Sequence, residues 1–145
     1  MLNFIVPEPH PIAEVDRTRG YITAVSHHLH AADVEVVAVW LDPMNPRDAT
    51  FVIRDSTRPN SPQGLVWNEW EGWFRGEFGS GRQGERTKLK NSVHLGGGKL
   101  PKPEVVAVHY ALGTTAPIDV EREAKIARNI DAYLERWPVP ALSGC

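Results

Sequence analysis

Apolar and polar positions in the first part of the chain follow the period of an α-helix. Apolar residues recur every three or four positions, at Ile12, Val15, Ile22, Val25 and Leu29. This spacing predicts one helix over 11–31, with Pro11 in its first turn. Gly20 has no side chain to pack, so we expect it to mark a close approach of this helix to a sheet.

After this helix the pattern becomes that of β-strands. Residues 34–41 are rich in β-branched side chains and apolar on both faces, which predicts a central strand. A turn-rich connection leads to a second strand over 49–55, with Phe51 and Ile53 on one face. Another strand is predicted over 87–93, so the sheet has four or five strands in all.

Between these strands lies a predicted hairpin. Its strands are 65–69 and 73–78, and the turn between them contains Trp70. The period of two places Leu65 and Trp67 on the same face of the first strand. Trp70, in the turn, is the tryptophan expected to be exposed.

The C-terminal part of the sequence predicts two helices. Residues 103–112 form the first, and Gly113 is suited to end it. Thr114 or Thr115 caps the second, which has Pro117 in its first turn. An apolar stripe runs along this last helix to its end, made of Ile126, Ile130, Tyr133, Leu134 and Trp137.

Taken in order, these elements predict an α+β fold. An N-terminal helix precedes an antiparallel meander of four to five strands, and two C-terminal helices pack on one sheet face. The length of 145 residues fits a single domain over 1–145, with 1–9 and 138–145 as extended tails. No apolar run is long enough for a membrane span, and the N-terminus lacks the features of a signal peptide. The one cysteine, Cys145, has no partner for an internal disulfide, so we predict a cytoplasmic protein.

Charge and glycine are concentrated in one segment. Residues 72–102 contain seven basic and two acidic residues, a net charge of +5, whereas the whole chain carries −2. Eight of the 12 glycines lie between positions 72 and 98. A chain of this overall charge is not a typical nucleic-acid binder, so we expect an anionic small molecule or an acidic protein surface as the partner.

Within this segment, residues 79–86 resemble an anion cradle. Gly81 and Gly84 expose main-chain N–H groups, and Arg82 and Arg86 offer planar guanidinium groups for phosphate or carboxylate. The segment has neither a P-loop nor a dinucleotide-binding fingerprint. The alternative is a solvated loop that is rich in glycine because the chain turns there.

Three further residues are candidates for ligand binding. They are Trp70, Arg75 and His94, which lie in or beside the same basic segment. An exposed Trp70 suits a stacking or partner contact. The alternative for Trp67 and Trp73 is a cross-strand aromatic pair that only stabilises the hairpin.

Metal and acid–base chemistry have weaker signals. His27 and His30 are neighbours on a helix and, with Asp33 or His94, form a possible metal-ligand set. A cluster of histidines at a helix C-terminus also has a purely electrostatic explanation, and the role of His28 and its neighbours stays open. We predict no metal and no cofactor.

Three aspartates stand at the ends of predicted strands. Asp42, Asp48 and Asp55 are in positions where carboxylates commonly cap turns. The sequence singles out none of them as a general base.

Several short motifs together resemble a known family. They include Trp40-Leu41-Asp42-Pro43, residues 46–50, Gly79-Ser80-Gly81-Arg82-Gln83-Gly84, and Leu95-Gly96-Gly97-Gly98 ahead of the prolines at 101 and 103. The chain resembles, over about residues 10–112, an uncharacterised actinobacterial family of small proteins with a domain of unknown function. The resemblance implies no activity and no catalytic residues.

Two functions are therefore predicted as alternatives. The first is a cytoplasmic binding or regulatory module, and not an enzyme, that holds an anionic ligand or partner on the Trp70–Arg82 surface. The second is a small enzyme or metabolite-binding protein with Arg82, Arg86 and His94 around a pocket. A flat exposed surface favours the first, and a buried cleft favours the second.

Overall fold

The computed structural model describes residues 4–42 and 45–138. It confirms the α+β fold class, because N-terminal helices precede a five-stranded antiparallel sheet whose strands follow sequence order, and further helices complete the chain. The helices are α1 (Ala13–Asp16), α2 (Arg19–Ala31), α3 (Pro103–Leu112), α4 (Val120–Arg128) and α5 (Ile130–Leu134). The strands are β1 (Glu35–Asp42), β2 (Asp48–Arg54), β3 (Gln63–Asn68), β4 (Gly72–Ser80) and β5 (Lys88–His94).

The predicted N-terminal helix over 11–31 is interrupted. The hydroxyl and the N–H of Thr18 both donate to the carbonyl of Val15, at 2.7 and 3.0 Å, and this local pairing separates α1 from α2. Gly20 was expected to lie close to the sheet, and this was also wrong. A Cβ atom there would overlap the main chain of Trp137, so the close approach is to the C-terminal segment and not to the sheet.

The position of β1 corrects a second expectation. This strand is at the edge of the sheet and pairs with β2 alone, although its sequence predicted a central strand. Both faces of β1 are apolar because one packs towards the helices while the other meets a distant strand, through Trp40 against Phe78 of β4. Apolar character on both faces therefore did not require a neighbouring strand on each side, and β1 is only partly buried, with Val37 37% exposed.

The central hairpin forms as predicted, with Leu65 and Trp67 on the same buried face. Trp67 and Trp73 are directly opposite each other in β3 and β4, and both are fully buried. The Trp67 indole N–H donates to the carbonyl of Lys99 at 2.7 Å, and that of Trp73 donates to the hydroxyl of Tyr21 at 3.1 Å. Two large apolar rings are thus buried without leaving a polar atom unpaired.

The C-terminal helices follow the prediction in part. Gly113 ends α3 in a left-handed conformation, with φ of 70°, as its sequence position predicted. The next helix is capped by the side chain of Asp119, and not by Thr114 or Thr115. It is then interrupted at Asn129, whose side chain caps α5, because Asp and Asn side chains bind main-chain N–H groups that the helix would otherwise use.

All the helices contribute to one core on one face of the sheet, which we call the helix-covered face. Its buried side chains come from α1 to α5 and from β1 to β4. Of the predicted C-terminal stripe, Ile126 and Leu134 are fully buried, and Ile130, Tyr133 and Trp137 pack against the core in part. The sheet's other face carries the candidate site described below.

Parts of both predicted tails lie outside the described residues. Most of the predicted tail over 138–145, including Cys145, lies outside the described residues, as do residues 1–3 of the other predicted tail. Within 4–42 and 45–138, none of the helices has the length and apolar character needed to cross a bilayer.

Candidate functional site

The face of the sheet opposite the helices is concave. The rings of Trp40 in β1 and Phe78 in β4 meet across this face at 6.2 Å, although two strands lie between β1 and β4. The β4–β5 ladder contains two register shifts, between Arg75 and Glu77 and between Phe78 and Ser80. Such bulges bend and twist a sheet, and here they accompany its curl.

The loop between β4 and β5, residues 81–87, folds back over this concave face. The N–H of Gly84 donates to Asp42 at 2.7 Å, which joins the loop to β1. The hydroxyls of Thr87 and Thr50 are 2.7 Å apart, which joins it to β2. The loop, which leaves β4 and enters β5, is therefore attached to β1 and β2 at the opposite edge of the sheet.

A cavity of about 190 Å³ lies between the 81–87 loop and the concave face. We call it the concave-face cavity. One part of its lining is apolar, and the rest carries hydroxyl, amide, carboxyl and guanidinium groups. The lining residues are Asp48, Val66, Asn68, Phe74, Arg86, Thr87, Leu89 and Ser92.

Two carboxyl groups sit side by side at the edge of this cavity. Asp42 and Asp48 are cross-strand partners in β1 and β2, and both are buried. Asp42 accepts hydrogen bonds from the Trp40 indole at 3.0 Å and from the Gly84 N–H. Asp48 differs, because its Oδ1 atom is buried and has no hydrogen-bond partner among the described residues.

The surroundings of Asp48 favour its protonated form. Burial, followed by the negative charge of Asp42, raises the pKa of Asp48 from 3.8 to about 7, and the Arg86 guanidinium opposes this rise. Burial also raises the pKa of Asp42, against the hydrogen bonds from Gly84 and Trp40. Of the two carboxyls, Asp48 is the one without stabilising donors and therefore the one that holds a proton near neutral pH.

Among the described residues, Arg86 is the only cation that lines the concave-face cavity. One of its guanidinium nitrogens is 3.6 Å from Asp48 Oδ2, and its side chain is 46% exposed. Within the described part of the chain, no hydrogen bond involves this guanidinium. Arg86 is thus close enough to Asp48 for charge pairing and still has donors for a ligand.

Asn68 contributes a fixed amide to the same lining. Its Oδ1 accepts the N–H groups of Trp70 and Glu71, at 2.9 and 2.8 Å. These two bonds assign the oxygen end of the amide to the hairpin turn, so the Nδ2 group is the donor that remains for the cavity.

The predicted anion cradle is divided by the structure. Arg86 lines the cavity, but Arg82 lies outside it, with a side chain that is 80% exposed and paired with Glu85 at 2.9 Å. The N–H of Gly84 is engaged by Asp42, and Gly81 adopts a φ of 155° beside Thr87. Only part of the predicted cradle therefore remains open to a ligand.

The other three predicted residues lie elsewhere. Trp70 is 57% exposed in the β3–β4 turn, as expected. Arg75 faces α3, where it donates to the carbonyl of Tyr110 at 3.1 Å and stacks on its ring. His94 is exposed on β5, with its ring 2.6 Å from the carbonyl of Glu71. None of these three residues lines the concave-face cavity.

The histidine cluster has local contacts. His27 stacks on Phe4 with 4.9 Å between ring centroids, and His28 lies 3.8 Å from the Glu104 carboxylate. Among the described residues, no three His, Cys, Asp or Glu side chains are grouped so that they can hold a metal.

Sequence reasoning missed two polar residues that line the concave-face cavity. Asp48 and Asn68 were not candidates for binding, although a weak signal existed. Asp48 alternates with Thr50 in β2, on the face opposite Phe51, so polar residues repeat with the period of a strand on one face. The signal was not specific, because the same alternation is typical of a face that is simply exposed to water.

Comparison with known families places this site in context. The model of a family of unknown function, DUF6292, matches residues 21–111. The matched range contains all the residues that line the concave-face cavity. No curated protein and no solved structure matches the chain. Since the match covers more than half of the sequence, the chain belongs to this family of unknown function.

Proposed function

We propose that this protein binds a small anionic metabolite in the concave-face cavity, with Arg86 as the residue that recognises the negative charge. The observation that carries this proposal is the environment of Arg86. Its guanidinium lines a cavity with an apolar wall, and no other described residue hydrogen-bonds to it. A partly desolvated arginine with free donors is a strong group for binding carboxylate or phosphate.

The size of the cavity limits the ligand. Its volume of about 190 Å³ is roughly that of six water molecules in the liquid and lies below the range typical of drug-sized ligands. We infer a metabolite with one ring or a short chain. Val66, Phe74 and Leu89 supply the apolar wall for such a body.

This proposal selects the metabolite-binding alternative over an exposed partner surface. Arg82 and Trp70 are exposed, but they are not part of one cleft, and Arg82 already pairs with Glu85. A cleft with an arginine in its wall supports binding of a small molecule. The cytoplasmic location and the actinobacterial origin stay predictions.

A thermal-shift and calorimetry screen tests the proposal. The probes are acetate, butyrate, benzoate, inorganic phosphate and sulfate, with butyramide and benzamide as neutral comparisons. We expect at least one anion to bind the unchanged protein and to bind Arg86→Ala at least tenfold more weakly, because this substitution removes the charge in the lining.

Arg82→Ala is the matched control, since it removes an arginine from the same loop but outside the cavity. It should bind the anion as the unchanged protein does. Equal affinity for Arg86→Ala and the unchanged protein would reject the proposed role of Arg86.

A further inference from the structure

The pairing of Asp48 with Arg86 points beyond simple anion binding, and this inference rests on the function proposed above. Asp48 is 3% exposed, lines the concave-face cavity and has an Oδ1 atom without a partner among the described residues. Its other oxygen is 3.6 Å from Arg86. An anion that reaches Arg86 therefore also reaches a buried carboxyl.

The charge balance of the cavity determines what such an anion needs. At pH 8, above the pKa of about 7 for Asp48, Arg86 is positive and Asp48 is mostly ionised, so the charges of the lining balance; Asp42 lies outside the lining and is hydrogen-bonded to Trp40 and Gly84. Adding an anion would place a second negative group beside the buried Asp48 carboxyl, with the Arg86 guanidinium as the positive group between them. The negative charge of the ligand raises the pKa of Asp48 further, so Asp48 takes up one proton when the ligand binds.

We propose that the concave-face cavity binds a small monocarboxylate together with one proton, which the ligand shares with Asp48 while Arg86 donates hydrogen bonds to the ligand carboxylate. The net charge of the cavity is then zero before and after binding. In the shared pair, the proton lies between an oxygen of Asp48 and an oxygen of the ligand, and no covalent bond is made or broken in the ligand's carbon skeleton.

A monocarboxylate fits this site better than the other anions do. A phosphate dianion brings two charges, and the lining contains one cation to balance them. A planar carboxylate also matches the fork of a guanidinium, and it leaves the rest of the ligand free to contact Phe74 and Leu89. A neutral amide would gain no charge pairing with Arg86.

The charged groups around Asp48 assign the proton to it. Asp42 faces it from β1, Arg86 faces it from the 81–87 loop, and β3 brings only the neutral Asn68. His10 acts on Asp42 from a greater distance. Because Asp42 accepts two hydrogen bonds that favour its ionised form, Asp48 is the carboxyl that shares a proton.

The pH dependence follows from linkage. Burial and Asp42 raise the pKa of Asp48 to about 7, so the free protein at pH 8 is mostly without this proton and must take it up on binding. Affinity should then fall above pH 7, approaching about tenfold per pH unit above pH 8, because the complex there holds one more proton than the free protein. Below about pH 6 the proton is already present, and affinity should level off.

Calorimetry at pH 8 with benzoate and butyrate as probes tests this inference. Titrations in triethanolamine and in Tris, two non-anionic buffers whose ionisation enthalpies differ, report the number of protons taken up. We expect close to one proton per ligand, and affinity that is about fivefold lower at pH 8 than at pH 7, where half of the free protein already holds the proton. This measurement uses the unchanged protein and does not depend on how any variant folds.

Asp48→Asn is the decisive variant. The amide is neutral like the protonated acid, so this variant should bind the carboxylate with no proton uptake and with an affinity that is constant between pH 6 and 8. Asp55→Asn removes a carboxyl outside the cavity and should retain the proton uptake.

The outcomes separate this inference from the proposed function. Carboxylate binding without proton uptake would overturn the inference and leave the anion site intact. Binding of phosphate or sulfate that depends on Arg86, with no binding of carboxylates, would do the same. If no anion binds in a manner that depends on Arg86, both proposals fail.

Discussion

The two faces of the sheet are built from the same strands but differ in whether their buried polar groups are hydrogen-bonded. On the helix-covered face, Phe51, Trp67 and Trp73 are fully buried, and both indole N–H groups are hydrogen-bonded. On the concave face, buried Asp42 and Asp48 face each other, and one oxygen of Asp48 has no described partner. A buried polar atom without a partner lowers the stability of the fold, so this carboxyl on the concave face offsets part of the stability that the helix-covered face contributes.

This difference is the physical basis of the binding site proposed above. Side chains that only support the fold are expected to satisfy their polar groups, as both buried indole N–H groups of the helix-covered face do; in the helices the Thr23 hydroxyl is buried without a partner among the described residues, but it is a neutral group. An unsatisfied carboxyl next to an available arginine is instead characteristic of a site that is completed by a ligand. Substitutions on each face can therefore separate support of the fold from binding.

The largest effect is expected for Trp73→Ala on the helix-covered face. This change removes a fully buried ring and its bond to Tyr21, and it should lower the free energy of unfolding by about 3–5 kcal/mol in urea denaturation. Trp70→Ala, at an exposed ring, is the control and should be nearly neutral. Similar losses for the two variants would contradict the burial described here.

A smaller loss of folding free energy is expected for Arg47→Ala, which tests the ion pairs that join the β1–β2 connection to Glu69 and Asp131. Arg47 is 12% exposed in its side chain and bonds to Glu69 at 2.8 Å and to Asp131 at 2.7 Å. Its removal leaves the Glu69 carboxylate without its cation and should cost about 2–3 kcal/mol by denaturation. Arg54→Ala breaks one well-exposed pair and should cost less than about 1 kcal/mol.

Asp48→Asn should move stability in the other direction and depend on pH. The folded state holds the Asp48 proton more tightly than the unfolded chain does, because the pKa rises from 3.8 to about 7. The contribution of Asp48 to the free energy of unfolding is fully present below pH 3.8 and is lost as pH rises through 7. Asp48→Asn should therefore stabilise the protein at pH 8, by about 1–3 kcal/mol, and have little effect at pH 4.

Denaturation of both proteins across this pH range measures the effect. Asp55→Asn gives the contrast in sign, because hydrogen bonds from Thr57 lower the pKa of Asp55. Its contribution is present above the unfolded pKa and is lost as pH falls, so this variant should lower stability at pH 8. A destabilised Asp48→Asn at pH 8 would mean that Asp48 is better satisfied than its surroundings indicate.

The smallest effect is expected for Arg82→Ala. Both members of its pair with Glu85 are more than half exposed, so the free energy of unfolding should change by less than about 0.5 kcal/mol. A thermal melt of this variant beside Arg86→Ala checks that any binding difference between them is not caused by unfolding. A loss above about 1 kcal/mol for Arg82→Ala would show that the loop tip supports the fold.

Local patterns in the sequence were sufficient for most of the elements. The alternation placed Leu65 and Trp67 on one face of the hairpin, because side chains in a strand point to opposite faces in turn, and the structure shows that this face is buried. Gly113 marked the end of α3, because glycine adopts a left-handed conformation at little cost. The breaks at Thr18 and Asn129 were missed, since short polar side chains compete for main-chain hydrogen bonds in ways that apolar periodicity does not record.

The candidate site, in contrast, was decided by tertiary structure. Arg86 was recognisable as a basic residue in a glycine-rich loop, but its partner Asp48 lies in a strand that is not adjacent to that loop in sequence. The two meet because the sheet curls and the loop attaches to β1 and β2 through Asp42 and Thr50. Residue spacing carries the period of each strand, whereas the curvature that brings distant strands together arises from contacts among all of them.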